Sequence, residues 1–393
     1  MTPLLQRSAT QYPVVTLTGP RQSGKTTLVR AVFPKHDYAS LEDPDLRAFA
    51  TEDARGFLAQ FAGPVVLDEV QRAPELFSYI QTRVDADPAP GRYILSGSQN
   101  FLLLESLSQS LAGRSAILHL HPFAWSELQG RAPLSLAAIG RSLPRRPAAA
   151  TGELMEALFT GFYPRIHDKR LEPKRWLADY YRTYVERDVR AIVNVGDLET
   201  FGRFVRLCAG RNGQLLNLSS LASDAGVTHT TAKRWISVLE TSFLVTLLRP
   251  HHRKFRKRLV KAPKLYFLDT GLLCYLLRIR SAEDLALHAA RGPIFESYVL
   301  AELVKNFANQ GLEPDVYFWR DSPGHEIDIL LERGTELVPV EVKSGQTVAG
   351  DFFAGLEYWR GLVGDPDAPG ALVYGGDRSF RRRGFTVYDW ASL

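Results

Sequence analysis

Two cysteines in 393 residues, Cys208 and Cys274, stand far apart and form no Cys-x-x-Cys pair. Neither a disulfide framework nor a cysteine zinc site is therefore encoded. The nine histidines show no metal-ligand spacing, and His251-His252 reads as part of a basic loop. Long apolar runs are missing too: the longest, Leu265 to Leu277, is interrupted by Asp269 and is too short to span a bilayer. Residues 1 to 12 lack the apolar core of a signal peptide, so a cytoplasmic protein with no membrane partner is the expectation. What is present is an ordinary globular hydrophobic share of 45% and a net charge of +5. The length suits two or three domains, and the mild basic bias permits a nucleic-acid partner without requiring one.

One segment is chemically specific. Val14 to Thr18 has strand composition, residues 19 to 26 read Gly19-Pro20-Arg21-Gln22-Ser23-Gly24-Lys25-Thr26, and Thr27 to Val32 can open a helix. Strand, glycine-rich loop and helix in that order make a phosphate-binding loop. Gly19 and Gly24 allow tight turns that aim successive N–H groups inward. Lys25 can reach the β- and γ-phosphates, the Thr26 hydroxyl can ligate Mg²⁺, and the helix N-terminus adds a favourable dipole. ATP is thus expected on residues Gly19 to Thr27.

A second apolar strand, Pro64 to Asp68, ends in Asp68-Glu69. Asp68 would hold Mg²⁺ through water, and Glu69 would orient or deprotonate the attacking water. That glutamate favours hydrolysis over phosphoryl transfer to a small molecule. A third short strand, Arg92 to Ser98, ends in small polar residues; the run resembles a strand of P-loop ATPases, which implies a place between the other two and Ser98, or else Ser96, offered to the γ-phosphate. Arg114 closes a helical stretch. It is either an arginine finger acting in trans, within a dimer or ring, or a surface arginine at a helix end.

The phosphate loop, Leu41-Glu42-Asp43-Pro44, Asp68-Glu69-Val70-Gln71, Ser96-Gly97-Ser98, Leu111-Ala112-Gly113-Arg114 and Pro122-Phe123 together resemble AAA-type ATPases. The resemblance is to prokaryotic ATP-binding proteins that carry a C-terminal domain of unknown function, number 4143. It continues through Gly161-Phe162-Tyr163-Pro164, Tyr184-Val185-Glu186-Arg187-Asp188 and Tyr266 to Leu272. It implies ATP binding and says little of biological role.

Residues 131 to 151, rich in Ala, Pro and Arg, read as a linker or exposed lid. Trp176, Tyr180, Tyr184 and Val185 recur at helical spacing, a core stripe in preference to a base-stacking face. Leu218 to Ala225, Gly226-Val227 and Thr228 to Glu240 make a helix-turn-helix pattern, followed by a strand at Phe243 to Leu248. Thr230, Thr231, Lys233 and Arg234 would lie outside. The basic run containing Arg253, Lys254, Arg256, Lys257 and Arg258 falls where a wing would be. Either this winged helix meets DNA phosphates or it only packs.

Near the C-terminus, Glu326 to Glu332 and Leu337 to Lys343 read as strands joined by a four-residue loop, Arg333 to Glu336. Pairing Glu332 with Leu337 would set Asp328 against Glu341, with Lys343 on the same face. Facing carboxylates need a positive charge between them, and a divalent metal, Mg²⁺ or Mn²⁺, would supply it. This resembles the PD-(D/E)xK nuclease core, with Glu296 on a preceding helix as a further acidic residue. The expected metal ligands are Thr26 and Asp68 at one site and Glu296, Asp328 and Glu341 at the other.

The expected fold is α/β: a parallel-sheet AAA-type domain over 1–135, a linker and helical region over 136–198, a winged helix over 199–285 and a nuclease-like domain over 286–393. The expected protein hydrolyses ATP, binds DNA and cuts it with metal. The alternative is an ATP-dependent switch whose nuclease-like domain only binds DNA or protein.

Overall fold

The computed structural model describes residues 1–98, 111–144, 151–184, 198–251 and 261–393. They form two compact units. One comprises Met1–Pro122 with Thr241–Phe243 and Ala308–Leu312, and the other holds the remainder.

The first unit is built on a parallel sheet of β1 (Val14–Gly19), β2 (Asp37–Ser40), β3 (Val65–Asp68), β4 (Tyr93–Ser98) and β5 (Ser115–His119). The order is β2-β3-β4-β1-β5. Strands β1, β3 and β4 are buried along their whole length, which is why they read as continuous apolar runs instead of alternating ones. Their alternate residues still serve different cores. Val14, Val65, Leu67, Tyr93 and Leu95 join Phe57, Phe77 and Ile80 in one cluster. Val15, Leu17, Val66 and Ile94 join Leu5, Val29 and Leu118 in the other. The sheet order places β4 between β1 and β3, with Ser96 beside Leu17 and Asp68.

In the second unit, Tyr163, Tyr180 and Tyr184 are buried and Trp176 stacks on Tyr180 at 5.2 Å. The tyrosines of the stripe are core and Trp176 is half-buried, while Val185 lies outside the described residues. Helices Leu218–Ala225 and His229–Thr241 follow, the first ended by Gly226 in the left-handed conformation (φ 74°). Asn217 caps the first helix, and the Thr228 hydroxyl accepts from the N–H of Thr231 in the second. Ala232, Trp235, Ile236, Val238 and Leu239 face inward.

The sheet of this unit has eight strands: β6 (Val245–Pro250), β7 (Lys264–Phe267), β8 (Val316–Arg320), β9 (Glu326–Arg333), β10 (Glu336–Lys343), β11 (Ala371–Tyr374), β12 (Phe380–Arg382) and β13 (Phe385–Asp389). Their order is β12-β13-β11-β10-β9-β8-β6-β7. The expected boundary at 285/286 therefore runs through one sheet, since β6 pairs with β8 as well as β7. The β9–β10 register runs from Leu337↔Glu332 to Val340↔Ile329, as the hydrophobic alternation requires. The loop is shorter than four residues: Arg333 and Glu336 pair, leaving Gly334-Thr335 as the turn, with Gly334 at φ 62°. Pro339 lies in an interior strand, not at an edge, just before pairing with β11 begins at Val340↔Ala371.

Helix Ala354–Val363 packs Trp359 against Trp319, Ile327, Leu330 and Leu337. Among the described residues no helix is long and apolar enough to cross a membrane. Removing the buried Trp359 side chain opens a large cavity over β9 and β10. Trp359→Ala should cost about 3–5 kcal/mol of stability, read as a lowered urea midpoint. A native-like midpoint would show that this helix does not anchor the hairpin.

Candidate functional site

The phosphate loop leaves β1 at Gly19, whose φ is 154°. A Cβ there would stand 2.1 Å from the Leu120 carbonyl oxygen, so only glycine fits. Gln22 (φ 65°) and Gly24 (φ 92°) take left-handed conformations, and the helix starts at Lys25. The buried Lys25 ammonium donates to the carbonyls of Gly19 (3.1 Å) and Pro20 (2.8 Å). Burial lowers its pKa to about 8, with Glu69 and Asp68 pulling the other way. The Ser23 hydroxyl, buried in the same loop, has no hydrogen-bond partner among the described residues. Thr27 is exposed on the first helical turn.

Asp68 gathers the rest of the site. Its Oδ2 accepts from the Thr26 hydroxyl at 2.7 Å and the Tyr38 hydroxyl at 2.9 Å. Its Oδ1 accepts from the Ser96 hydroxyl and, at 3.1 Å, from the Glu69 N–H. Burial and Asp68 push the Tyr38 pKa up to about 12, which keeps it a donor at neutral pH. Glu69 stands in the left-handed region (φ 54°). Its Oε2 accepts from the Gln71 amide and, at 3.3 Å, from the Ser98 hydroxyl. Gln71 Nε2 also donates to Ser98 Oγ at 3.1 Å. Thr26 and Asp68, a hydroxyl and a carboxylate in contact, suit Mg²⁺, which takes a few protein oxygens and keeps several waters.

The sequence reading had two serines competing for one role, and the structure separates them: Ser96 serves Asp68 and Ser98 serves Glu69. It passed over Tyr38 and Gln71. Gln71 falls within the Asp-Glu-x-Gln run and was legible there as a polar side chain two residues beyond Glu69. Tyr38 had no local signal, since it reaches Asp68 only through β2–β3 pairing.

Arg114 is held by Asp85, Nη2 to Oδ2 at 3.0 Å, and donates to the Ala112 carbonyl at 3.2 Å. It precedes Ser115, which pairs with Val14 at the start of β1. The loop lies at the other end of that strand, roughly 3.3 Å per residue away. Arg114 therefore cannot reach the phosphates of its own loop.

In the second unit the acidic hairpin brings its residues together. Lys343 Nζ contacts Asp328 Oδ2 at 3.1 Å and Glu341 Oε2 at 2.7 Å. Asp328 Oδ2 also accepts from the Val342 N–H at 2.9 Å. Burial, then Asp328, raises the Glu341 pKa to about 8, and the same two causes raise Glu296 to about 7. Burial alone would lower the Lys343 pKa, but Asp328 and Glu341 outweigh it and hold the ammonium above its usual range. Glu296 accepts from the Tyr266 hydroxyl at 3.0 Å, and Lys264 and Arg320 neutralise Glu326 beside it. Glu341 Oε1 is buried without a partner. A Cβ on Gly355 would stand 2.2 Å from that oxygen, so the helix approaches it closely only as glycine.

The Lys343 ammonium supplies a positive charge between Asp328 and Glu341. Among the described residues no three His, Cys, Asp or Glu side chains are spaced to hold an ion. Two carboxylates and water still suffice for Mg²⁺, and the unpartnered Glu341 Oε1 is a suitable donor.

On the helix-turn-helix, Thr230, Lys233 and Arg234 are exposed and Thr231 is half-buried. Arg253, Lys254, Arg256, Lys257 and Arg258 lie outside the described residues.

Residues 11–129 match the family described as an AAA domain. Residues 151–283 and 291–393 match two domains of unknown function, DUF8612 and DUF4143. Among solved structures, the chain is similar to the Walker-type ATPase of Pyrococcus abyssi at 14% identity and a TM-score of 0.43, covering 70% of this chain and 94% of that one. It is similar to RuvB of Thermotoga maritima at 18% identity and a TM-score of 0.27, covering 63% and 87%. The uncharacterized proteins Rv2008c of Mycobacterium tuberculosis and Mb2031c of Mycobacterium bovis are each 31% identical over 344 residues, 87% of this chain and 73% of theirs. With a first unit that matches an AAA domain and a C-terminal DUF4143 region, the chain belongs to the family of these two mycobacterial proteins.

Proposed function

We propose that ATP binding and hydrolysis in the first unit control a second unit that binds DNA and cuts it with a divalent metal. The observation that carries the second half is the convergence of Asp328, Glu341 and Lys343 beside Glu296, with one buried Glu341 oxygen unpartnered.

In the first unit, Lys25 exchanges two backbone carbonyls for the β- and γ-phosphates, and the loop N–H groups and Ser23 complete the cradle. Thr26 and Asp68 would hold Mg²⁺, which supplies charge neutralisation on the phosphates. Glu69 takes a proton from water as the water oxygen bonds to the γ-phosphorus and the bridging oxygen departs. Before that, Glu69 must leave Gln71, and Ser98 is then released to the γ-phosphate. Arg114 serves a neighbouring copy, if the protein works as a dimer or ring.

In the second unit, Asp328 and Glu341 would hold Mg²⁺ or Mn²⁺ together with water, with Glu296 beside them outside the ligand set; the ion would supply an activated water and a Lewis acid. Lys343 steadies the charge that develops at phosphorus. Thr230, Thr231, Lys233, Arg234 and the basic run Arg253, Lys254, Arg256, Lys257 and Arg258 contact DNA phosphates. The second reading, a switch whose acidic hairpin only binds, is favoured by the Lys343 ammonium already bridging both carboxylates.

Lys25→Ala should lower ATP turnover about 10²–10³-fold, measured as phosphate release, and native turnover would sink the ATPase assignment. Glu69→Gln should keep nucleotide affinity while hydrolysis falls about 10²–10⁴-fold. A variant that hydrolyses normally would remove Glu69 as the base. Lys25 is charged below pH 8 and neutral above it, and only the charged form serves phosphate. Nucleotide affinity should therefore fall as pH rises through about 8, with proton uptake on binding in calorimetry at that pH. Affinity unchanged between pH 7 and 9 would contradict this. Asp328→Ala should abolish Mg²⁺- or Mn²⁺-dependent cleavage of plasmid or linear DNA while DNA binding persists. Equal cleavage by variant and native protein would move the chemistry elsewhere, and no cleavage by either would leave the binding-only switch.

A further inference from the structure

Among the described residues four donors reach Asp68. The Thr26 and Tyr38 hydroxyls meet Oδ2 at 2.7 and 2.9 Å, and the Ser96 hydroxyl and the Glu69 N–H meet Oδ1. A carboxylate offers about four lone-pair sites, so these donors fill it. Asp68 can hold Mg²⁺ through water only if one site is free, because a metal-bound water directs its hydrogens outward at the carboxylate. One of the four donors must therefore yield.

Three of them are poorly placed to do so. Thr26 can go on donating to Asp68 while its own oxygen lone pairs face the ion. The Glu69 N–H belongs to the next peptide unit, whose residue is held at φ 54°. Ser96 is fully buried on β4, level with Asp68 in the β3–β4 ladder. Its hydroxyl bonds only Asp68 among the described residues, so releasing it would strand a buried polar group.

Tyr38 is different. It stands on β2, the edge strand, which pairs only with β3. Its side chain is exposed, and the exposed Arg30 guanidinium lies over its ring at 5.0 Å. A phenol hydroxyl that turns away from Asp68 there meets solvent, and water replaces most of the lost bond.

We infer that Tyr38 occupies the Asp68 lone pair needed for Mg²⁺, and that its hydroxyl leaves Oδ2 when the metal–nucleotide complex binds. Tyr38 is a positioning residue: it satisfies the buried carboxylate before loading and acts on the nucleotide only through Asp68. The inference rests on the ATP reading and adds to it a donor that competes with the metal.

The test uses full-length native protein and Tyr38→Phe with a fluorescent, non-hydrolysable ATP analogue. Binding is measured in EDTA and across a Mg²⁺ titration. Phenylalanine keeps the ring under Arg30, so the melting temperature should stay near the native value. Tyr38→Phe should leave affinity in EDTA unchanged and lower the half-saturating Mg²⁺ concentration about tenfold, as one hydrogen bond to a charged group stops competing. An unchanged Mg²⁺ requirement, with analogue binding intact, overturns the inference and spares the ATP reading. A raised requirement also overturns it, since Tyr38 would then orient Asp68 for the ion. Native protein that binds no analogue at any Mg²⁺ concentration overturns both. Native protein serves as a second measurement. At saturating analogue, acetylation of Tyr38 by N-acetylimidazole, followed by peptide mass spectrometry, should be faster with Mg²⁺ than with EDTA. Equal or slower acetylation would show that the hydroxyl stays on Asp68 and overturn the inference.

Discussion

The ATPase unit depends on one carboxylate. Asp68 ends a fully buried strand, and its two oxygens accept from donors on the helix that follows the phosphate loop, on β2, on β4 and on its own neighbour. A buried charge is stable only when it is hydrogen-bonded this completely. The same bonds fix the loop against β3 and bring Glu69 into the left-handed conformation that aims it at Ser98 and Gln71. The sheet order makes this possible, because β4 lies beside β3 and carries both serines.

The second unit has the opposite electrostatic problem. Three carboxylates share a small region, two of them with pKa values raised to about 7 and 8. One ammonium bridges Asp328 and Glu341; among the described residues Glu341 Oε1 has no hydrogen-bond partner, and Glu296 accepts from the Tyr266 hydroxyl. Such an arrangement is unusual as scaffolding and familiar where a cation or a reacting phosphate is to be received. Gly355 marks how tightly the covering helix is fitted to it.

Much of this was legible in the chain because the signals are local. A loop from Gly19 to Thr26 declares itself by spacing, Asp68-Glu69 by its position at the end of an apolar strand, and the Leu337↔Glu332 register by period-two alternation. What was not legible depends on pairing between distant segments. Nothing near Val245 announces that β6 joins β8. Tyr38 could not be connected to Asp68 without knowing that β2 flanks β3.

The central claim is that nucleotide state in the first unit sets what the second unit does with DNA. It is tested most directly by measuring duplex affinity of one preparation in the nucleotide-free, ADP-bound and non-hydrolysable ATP-analogue-bound states at fixed salt and Mg²⁺. Coupling of ordinary strength predicts that the analogue and ADP states differ by about 5–150-fold, with DNA shifting nucleotide affinity by the same factor. The same dissociation constant in all three states would contradict it.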